Sequence, residues 1–449
     1  MTGRQVTGRQ VSGRQVTGRQ VTDRREASQT VETALAEAHR QEWARVLSAT
    51  VRVARDLDLA EESVQEAYAA ALRSWVHSGI PDNPAAWLTA TAKRRAIDVL
   101  RHEQALRTRL PLLVEPDAGE ETAAAERLAE PADDSADVLP DERLRLIFIC
   151  CHPALAQEAQ VALTLRLVCG VTTADIARAF LVSETTMAAR ITRAKKKIAT
   201  ARIPYRVPLP AEQPRRLRAV LAVIHLLFTT GHTAPSGPAL VRHDLVDRAL
   251  HLGRMLRELM PAEAEVAGLY ALLLVTDARR QTRVDSAGRL VQLKDQDRSR
   301  WNRAALGEAH DIIVGCLRAG PPGRYVLQAA IASLYAEAPS AAETDWAQIV
   351  TLYDKLLEVW PSPVVALNRA VPLAKVAGPD AALAQVEQLE RDGRLSGYQY
   401  LHAVKADLLS QAGRLTEADH AYRRAFDLAA NEAERAFLAS QIGRHTGGQ

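Results

Sequence analysis

From Val31 onward, apolar residues recur at steps of three and four along almost the whole chain, and this period admits helices and little else. Leu35, Val46, Leu47, Val51, Val53, Leu57 and Leu59 open the pattern, and a second run follows from Val64 to Trp75. His77–Pro84 (HSGIPDNP) interrupts it with one Gly and two Pro. A third run extends from about Ala85 to Leu106 and carries Lys93, Arg94, Arg95, Arg101 and Arg107. Aromatics make up only 4% of the 449 residues, a bias that favours helices over strands. That length suggests two to four domains. Four cysteines (Cys150, Cys151, Cys169, Cys316) exclude a disulfide scaffold and fit a reducing cytosol, and their spacing suits no zinc site. The longest apolar stretch, Ala219 to Phe228, is about half the roughly 20 residues a bilayer requires, so no membrane partner is expected.

The net charge of +3 conceals a strong division along the chain. Residues 1–30 begin with four tandem copies of a five-residue unit, each with one Gly and one Arg. A five-residue period matches neither helix nor strand, so a disordered basic tail is expected there. Residues 31–110 form a helical block that turns basic in its third helix. Between Glu115 and Glu142 there are eleven Asp or Glu against one Arg, a net of ten negative charges, punctuated by Pro116, Pro131 and Pro140. Residues 111–140 are therefore read as an acidic linker. Residues 141–206 form a second helical block ending in Arg190, Arg193, Lys195, Lys196, Lys197 and Arg202.

That second block contains a helix-turn-helix. Thr172 can cap a short helix with Asp175 reciprocating, Leu181 and Val182 form the turn, and Ser183 caps the next helix. Met187 and Ile191 face inward one turn apart, which leaves Thr186, Arg190, Arg193 and Lys197 outward. A helix with that outer face suits a major groove, bases first and phosphates alongside.

With these residues in view, the chain resembles the extracytoplasmic-function sigma factors of the sigma-70 family. Leu59–Leu72 (LAEESVQEAYAAAL) and Asn83–Glu103 (NPAAWLTATAKRRAIDVLRHE) are similar to their second conserved region, and Asp141–Ile198 to their fourth. The resemblance implies that Glu62, Gln65, Glu66 and Tyr68 dock on the beta-prime clamp helices of core RNA polymerase. It implies that the Ser78–Pro84 loop, including Asn83, captures a flipped −10 base. Trp87, Thr91, Lys93, Arg94, Arg95 and Arg101 would then track the non-template strand, with Trp87 equally readable as a core anchor. It places Ser183, Thr185, Thr186, Arg190, Arg193, Lys196 and Lys197 on the −35 element, with the preceding helices on the beta flap. Ala188 and Ala189 stand where many members carry base-facing Arg and Ser, so the −35 preference does not carry over. The acidic linker would imitate a nucleic-acid backbone in the polymerase channel.

Residues 207–449 read as helical throughout, with a period near 34 towards the end. Tyr353, Glu387 and Tyr422 lie 34 and 35 apart, and Gly378 and Gly413 are 35 apart. The window from Ala406 to Glu434 fits a tetratricopeptide unit, with Gly413, Ala418, Tyr422, Ala425 and Leu428 at packing positions. A stack of helical hairpins able to hold a protein ligand is expected. Asp277–Trp301 breaks this pattern. Thr282–Leu293 alternates about Ser286-Ala287-Gly288 and reads as a short β-hairpin. Asp277, Arg279, Arg280, Asp295, Asp297, Arg298 and Trp301 flank it, and interlocking salt bridges are favoured there over a catalytic cluster. This segment resembles the C-terminal extension of one sigma group, in which it takes the place of a separate anti-sigma factor; His225–Gly237 departs from that group's acidic loop.

The expected architecture is all-α: two sigma domains, a linker and a tetratricopeptide-like regulatory domain with one β-hairpin. The expected function is promoter recognition and melting on core polymerase, in the cytoplasm and at the nucleoid, with no catalysis, cofactor or metal. The alternative is a one-component regulator with no polymerase docking. An enzyme built on the Asp277–Arg300 charges is weaker, lacking a nucleophile-base pair.

Overall fold

The computed structural model describes residues 13–109, 142–180, 182–201, 203, 205–209 and 211–446. Every named element is helical, and among the described residues there is no sheet. The chain divides into two compact units, residues 1–219 and 220–449.

The first unit opens with α1 (Gly13–Ala54), α2 (Leu57–Ser78) and α3 (Pro84–Arg109), which pack on one another as a bundle. The pentapeptide copies were expected to lack regular structure, yet α1 begins at Gly13. The helix continues outward from a packed segment, and extending a helix is far easier than nucleating one. The acidic linker, Leu181 and Arg202 lie outside the described residues.

Asp56 starts α2, its Oδ1 accepting from the backbone N–H of Asp58 and Leu59, both at 2.8 Å. Ala60, Val64, Ala67, Ala71 and Trp75 then fall on one stripe and are buried. Gly79, at φ 79°, ends the helix with its N–H on the Trp75 carbonyl. Pro81 and Pro84 keep the chain from continuing. Asn83 starts α3 by accepting from the Ala86 N–H at 3.0 Å, and Leu88, Ala92 and Ala96 bury the inner face.

The remainder of this unit comprises α4 (Glu142–Cys150), α5 (Gln157–Leu163) with a π-turn over Thr164–Val168, α6 (Thr173–Ala179) and α7 (Glu184–Thr200). Their core is Leu146, Phe148, Leu163, Leu165, Ile176 and Met187. The two groups of helices meet through α1. Trp43 Nε1 donates to the Leu167 carbonyl at 3.0 Å in a buried bond, and the Tyr205 hydroxyl donates to the Ser48 carbonyl at 3.0 Å. Gly170 lies at this junction with φ 65°, where a Cβ would stand 2.6 Å from His39 Cε1 and 2.9 Å from Trp43 Cγ.

Helix α8 (Gln213–His232) crosses the division between the units. The second unit continues with α9 (His243–Leu259), α10 (Ala264–Asp277), α11 (Arg303–Ala319) and α12 (Arg324–Glu337). Helix α10 is hydrophobic on nearly every side because α9, α11 and α12 all pack against it. Six helices follow with short connections: α13 (Trp346–Val359), α14 (Pro363–Ala377), α15 (Pro379–Asp392), α16 (Gln399–Gln411), α17 (Leu415–Leu428) and α18 (Glu432–Thr446). Each packs on its chain neighbour, as a helical repeat requires. Ala418, Tyr422 and Ala425 lie in the shared core, Leu428 at its edge, and Gly413 turns between helices at φ 76°.

The expected β-hairpin is not formed. Val284 and Leu290 make one isolated antiparallel bridge, and Gly288 turns at φ 77°. The flanks wind into single 3-10 turns at Arg280–Thr282, Leu293–Asp295 and Arg298–Arg300 instead of extending. With one bridge and no neighbouring strand, the alternating pattern has no sheet to join.

Candidate nucleic-acid interface

Helix α7 is presented by its cap. Ser183 Oγ accepts from the Thr186 N–H at 3.1 Å and lies 2.8 Å from the Thr186 hydroxyl, so Ser183 is occupied in starting the helix. The preceding α6 is capped as expected by Thr172. Its hydroxyl accepts from the Asp175 N–H at 3.1 Å and donates to Asp175 Oδ2 at 2.6 Å. Met187, Ile191, Ala194 and Ile198 are buried. Thr185, Thr186, Ala188, Ala189, Arg193, Lys196 and Lys197 are exposed and Arg190 partly so. One face therefore offers small side chains and two threonines in its first turns and a row of cations beyond them. The alanines let the helix backbone approach a partner closely, and the cations suit phosphates on either side.

The region α2–α3 offers a second such face. Trp75 is buried, and Trp87 packs edge-to-face on it with ring centroids 5.4 Å apart, keeping part of its own surface exposed. Trp87 is thus both an anchor and a surface aromatic. Arg94 and Arg101 are exposed, while Lys93 and Thr91 are half-buried. Arg95 binds Glu66 across the two helices through two guanidinium nitrogens. That bond holds the Glu66 carboxyl below its ordinary pKa. A residue expected to meet DNA and one expected to meet protein are therefore paired with each other. Asn83, expected at the flipped base, spends its side-chain oxygen on the α3 cap.

Glu62 and Gln65 are exposed on α2. Tyr68 departs from that face: its hydroxyl donates to the Ala38 carbonyl at 3.3 Å and its ring meets His39 and Trp43 at 5.5 and 5.9 Å. Burial raises its phenol above the ordinary range. Tyr68 is a packing residue of the α1–α2 contact.

One cluster escaped the sequence reading. Lys195 Nζ donates to Asp58 Oδ1 at 2.6 Å and to Glu61 Oε2 at 2.7 Å, and Arg166 pairs with the other Glu61 oxygen. Glu61 is 6% exposed. Burial opposes the charge on Lys195, but Glu61 and Asp58 outweigh it and hold the amine above its ordinary range. The sequence did carry a signal: Lys195 stands four residues after Ile191 and three before Ile198, on the edge of the inward stripe.

The flanking charges of the second unit form fewer salt bridges than expected. Arg280 pairs with Asp277 at 2.5 Å and Asp247 at 2.8 Å. Asp297 instead caps a 3-10 turn through Ser299, Asp295 is exposed, and Arg298 donates to the Tyr335 and Ala338 carbonyls while lying over the buried Trp301 ring. Cys150 and Cys151 are fully enclosed, and burial pushes their thiols upward, Cys151 to about 12, which leaves them unreactive. Among the described residues no group of three or more His, Cys, Asp or Glu could hold a metal, and no helix is long and apolar enough to cross a membrane.

Residues 37–106 match the family model for sigma-70 region 2, and residues 145–198 the model for sigma-70 region 4. Residues 216–316 match a family of unknown function (DUF6596). An uncharacterized protein of Rhizobium meliloti (strain 1021) is 45% identical over 92% of this chain and 95% of its own length. The ECF RNA polymerase sigma factor SigK of Mycolicibacterium vanbaalenii is 30% identical over 37% of this chain and 81% of that protein. SigK of Mycobacterium sp. (strain KMS) is 32% identical over 27% of this chain and 60% of that protein.

Proposed function

The chain belongs to the ECF RNA polymerase sigma factors of the sigma-70 family, with regions 2 and 4 followed by a C-terminal extension, and from that premise we propose how its residues divide the work of initiation. As a sigma factor it binds core RNA polymerase and promoter DNA. Region 4 reads the −35 element with Thr185 and Thr186 at base edges, while Arg190, Arg193, Lys196 and Lys197 hold phosphates. Region 2 holds the non-template strand of the −10 element along Lys93, Arg94 and Arg101, with Trp87 stacking at the edge of the melted segment. Glu62 and Gln65 meet the beta-prime clamp helices, and Glu66 joins them when it releases Arg95 to the DNA. The Arg95–Glu66 pair is exposed and screened, so the exchange meets little resistance. The helices before α7 grip the beta flap. The acidic linker enters the polymerase channel, and the C-terminal helical repeat modulates activity by holding a protein ligand. No step of this scheme requires catalysis by the chain, which acts in the cytoplasm at the nucleoid.

The observation that supports this reading best is the pairing of two exposed cationic faces, on α3 and α7, each beside a residue suited to bases. Run-off transcription with core polymerase and the full chain tests it on genomic fragments. Discrete promoter-dependent transcripts are expected, weakened by Arg94→Ala and Arg193→Ala. DNA retardation by a chain that fails to bind core polymerase would instead support a one-component regulator. Comparing residues 1–206 with the full chain reads the sign of regulation. We expect the repeat domain to assist, and better transcription by the truncated form would overturn that expectation.

A further inference from the structure

On helix α7 one residue stands farthest from the buried side. Met187, Ile191 and Ile198 fix the inward direction. At about 100° per residue, Ala189 lies half a turn from their mean and so marks the crest of the exposed face. Thr185 and Arg193 stand about one turn before and after it on nearly the same line, and Thr186 lies to one side. All four are exposed. Glu184, in the first turn, falls away from this crest towards the side of Lys195.

Two of the polar side chains beside Ala189 are held by local bonds. The Thr186 hydroxyl lies 2.8 Å from Ser183 Oγ, which also accepts from the Thr186 N–H at 3.1 Å. With its hydroxyl turned to the cap, Thr186 keeps its methyl group as the outward contact. Arg193 Nε donates to the Ala189 carbonyl at 3.1 Å. That bond draws the guanidinium back against its own helix and leaves the Nη groups for phosphates alongside. Thr185 remains for a hydrogen bond to a base edge. At its crest the helix therefore offers two methyl groups, from Ala189 and Thr186, and no long polar side chain before Arg193.

In the major groove, thymine is the base whose edge carries a methyl group, and alanine or a threonine methyl is a fitting contact for it. A crest without long side chains lets the helix come close enough to bury that group. We propose that Ala189 and Thr186 are specificity-determining residues that select thymine in the −35 element through its 5-methyl group. This selection rests on the proposed place of region 4 at the −35 element and names the base that its helix favours. Arg190, Arg193, Lys196 and Lys197 supply affinity that is independent of sequence, so the choice of base falls to the short side chains.

The test replaces thymine by uracil, which lacks only the methyl group. A promoter found by run-off transcription with the full chain and core polymerase is resynthesised with each −35 thymine changed to uracil in turn. Fluorescence anisotropy then measures the affinity of the holoenzyme for each duplex. At one position or more, uracil should weaken binding about three- to fourfold, the worth of one buried methyl group. Thr186→Ser keeps the hydroxyl and the cap, removes the methyl, and should cut the penalty at its thymine to below about twofold. Ala189→Gly should do the same at its own thymine. Each variant is read as the ratio of its affinities for thymine and uracil DNA, so a general loss from a frayed helix cancels. Promoter-specific binding that is indifferent to uracil at every −35 thymine overturns the proposal. So does a −35 element with no thymine, or a penalty that survives in both variants. A wild type that gives no promoter-dependent transcript overturns the place of region 4 at the −35 element, and the proposal with it.

Discussion

Glu61→Gln should open the contact between α2 and α7. The Glu61 side chain is 7% exposed, Lys195 9% and Arg166 18%, so all three charges meet largely out of water. Removing one partner from a buried pair costs about 3–5 kcal/mol, because the opposite charge is left enclosed. Two features reduce that figure here. Asp58 remains on Lys195 and is itself well exposed, and the glutamine oxygen can still accept one hydrogen bond. A loss of about 2–3 kcal/mol is therefore expected. A chain of several units does not melt as one transition, so the assay is native-state hydrogen exchange of amides in α2 and α7. A double cycle with Lys195→Met should give a coupling of about 1–2 kcal/mol. The sign with pH is fixed by Lys195, whose folded pKa is raised. Its stabilisation is complete below the unfolded lysine value and is lost as pH rises through the folded one, so the contact should hold unchanged across neutral pH. Unchanged protection of α7 in Glu61→Gln, or a coupling below about 0.5 kcal/mol, would refute the argument.

Gly170→Ala should destabilise the first unit by about 2 kcal/mol or more, since the left-handed backbone strain adds to a Cβ contact with His39 and Trp43; unchanged hydrogen-exchange protection of α1 amides would contradict this. Arg193→Ala should weaken DNA binding across sequences and lower the slope of log K against log salt by about 1, measured by fluorescence anisotropy at several salt concentrations. Acid should loosen the second unit. Burial holds His225 down at about 4 and His232 well below its ordinary range. The unfolded chain therefore takes up their protons first, and stability is full above about pH 6.5 and declines as pH falls towards 4. Native-state hydrogen exchange of amides in α8 between those values should show the decline, and His225→Gln should lessen it.

Much of the fold was legible because it rests on one signal. Ala60, Val64, Ala67, Ala71 and Trp75 announce the buried stripe of α2, and Thr172 and Ser183 announce the starts of α6 and α7. The exposed face of α7 followed from the same period, since Met187, Ile191 and Ile198 fix what remains outside. What was not legible has a common reason: a side chain's local position does not reveal its long-range partner. Tyr68 has the spacing of a surface residue near Gln65, but His39 and Trp43 arrive from another helix to cover it. Lys195 sits in a basic run, but Asp58 and Glu61, more than a hundred residues earlier, claim it. The alternation around Gly288 is real, but a strand needs a neighbour to pair with, and among the described residues the second unit's named elements are all helical.

The α2–α7 contact bears directly on the proposed function. The −35 and −10 elements lie about 25 base pairs apart by their own numbering, or about 85 Å of duplex at 3.4 Å per pair. Lys195 on α7, the helix proposed to read the −35 element, is bonded at 2.6–2.7 Å to Asp58 and Glu61, on the helix that carries Glu62 and Gln65. If regions 2 and 4 engage the two elements as proposed, a contact this close between α2 and α7 must open for both to be occupied. The chain between the regions allows it: residues 110–141 number 32 and can span about 105 Å when extended. The loss of about 2–3 kcal/mol expected for Glu61→Gln would then act in opposite senses, lowering the stability of the free protein while removing part of the work of opening on the polymerase. A sigma factor held closed by this cluster should become more active when the cluster is weakened, and that sign separates a functional latch from a contact that merely stabilises the fold.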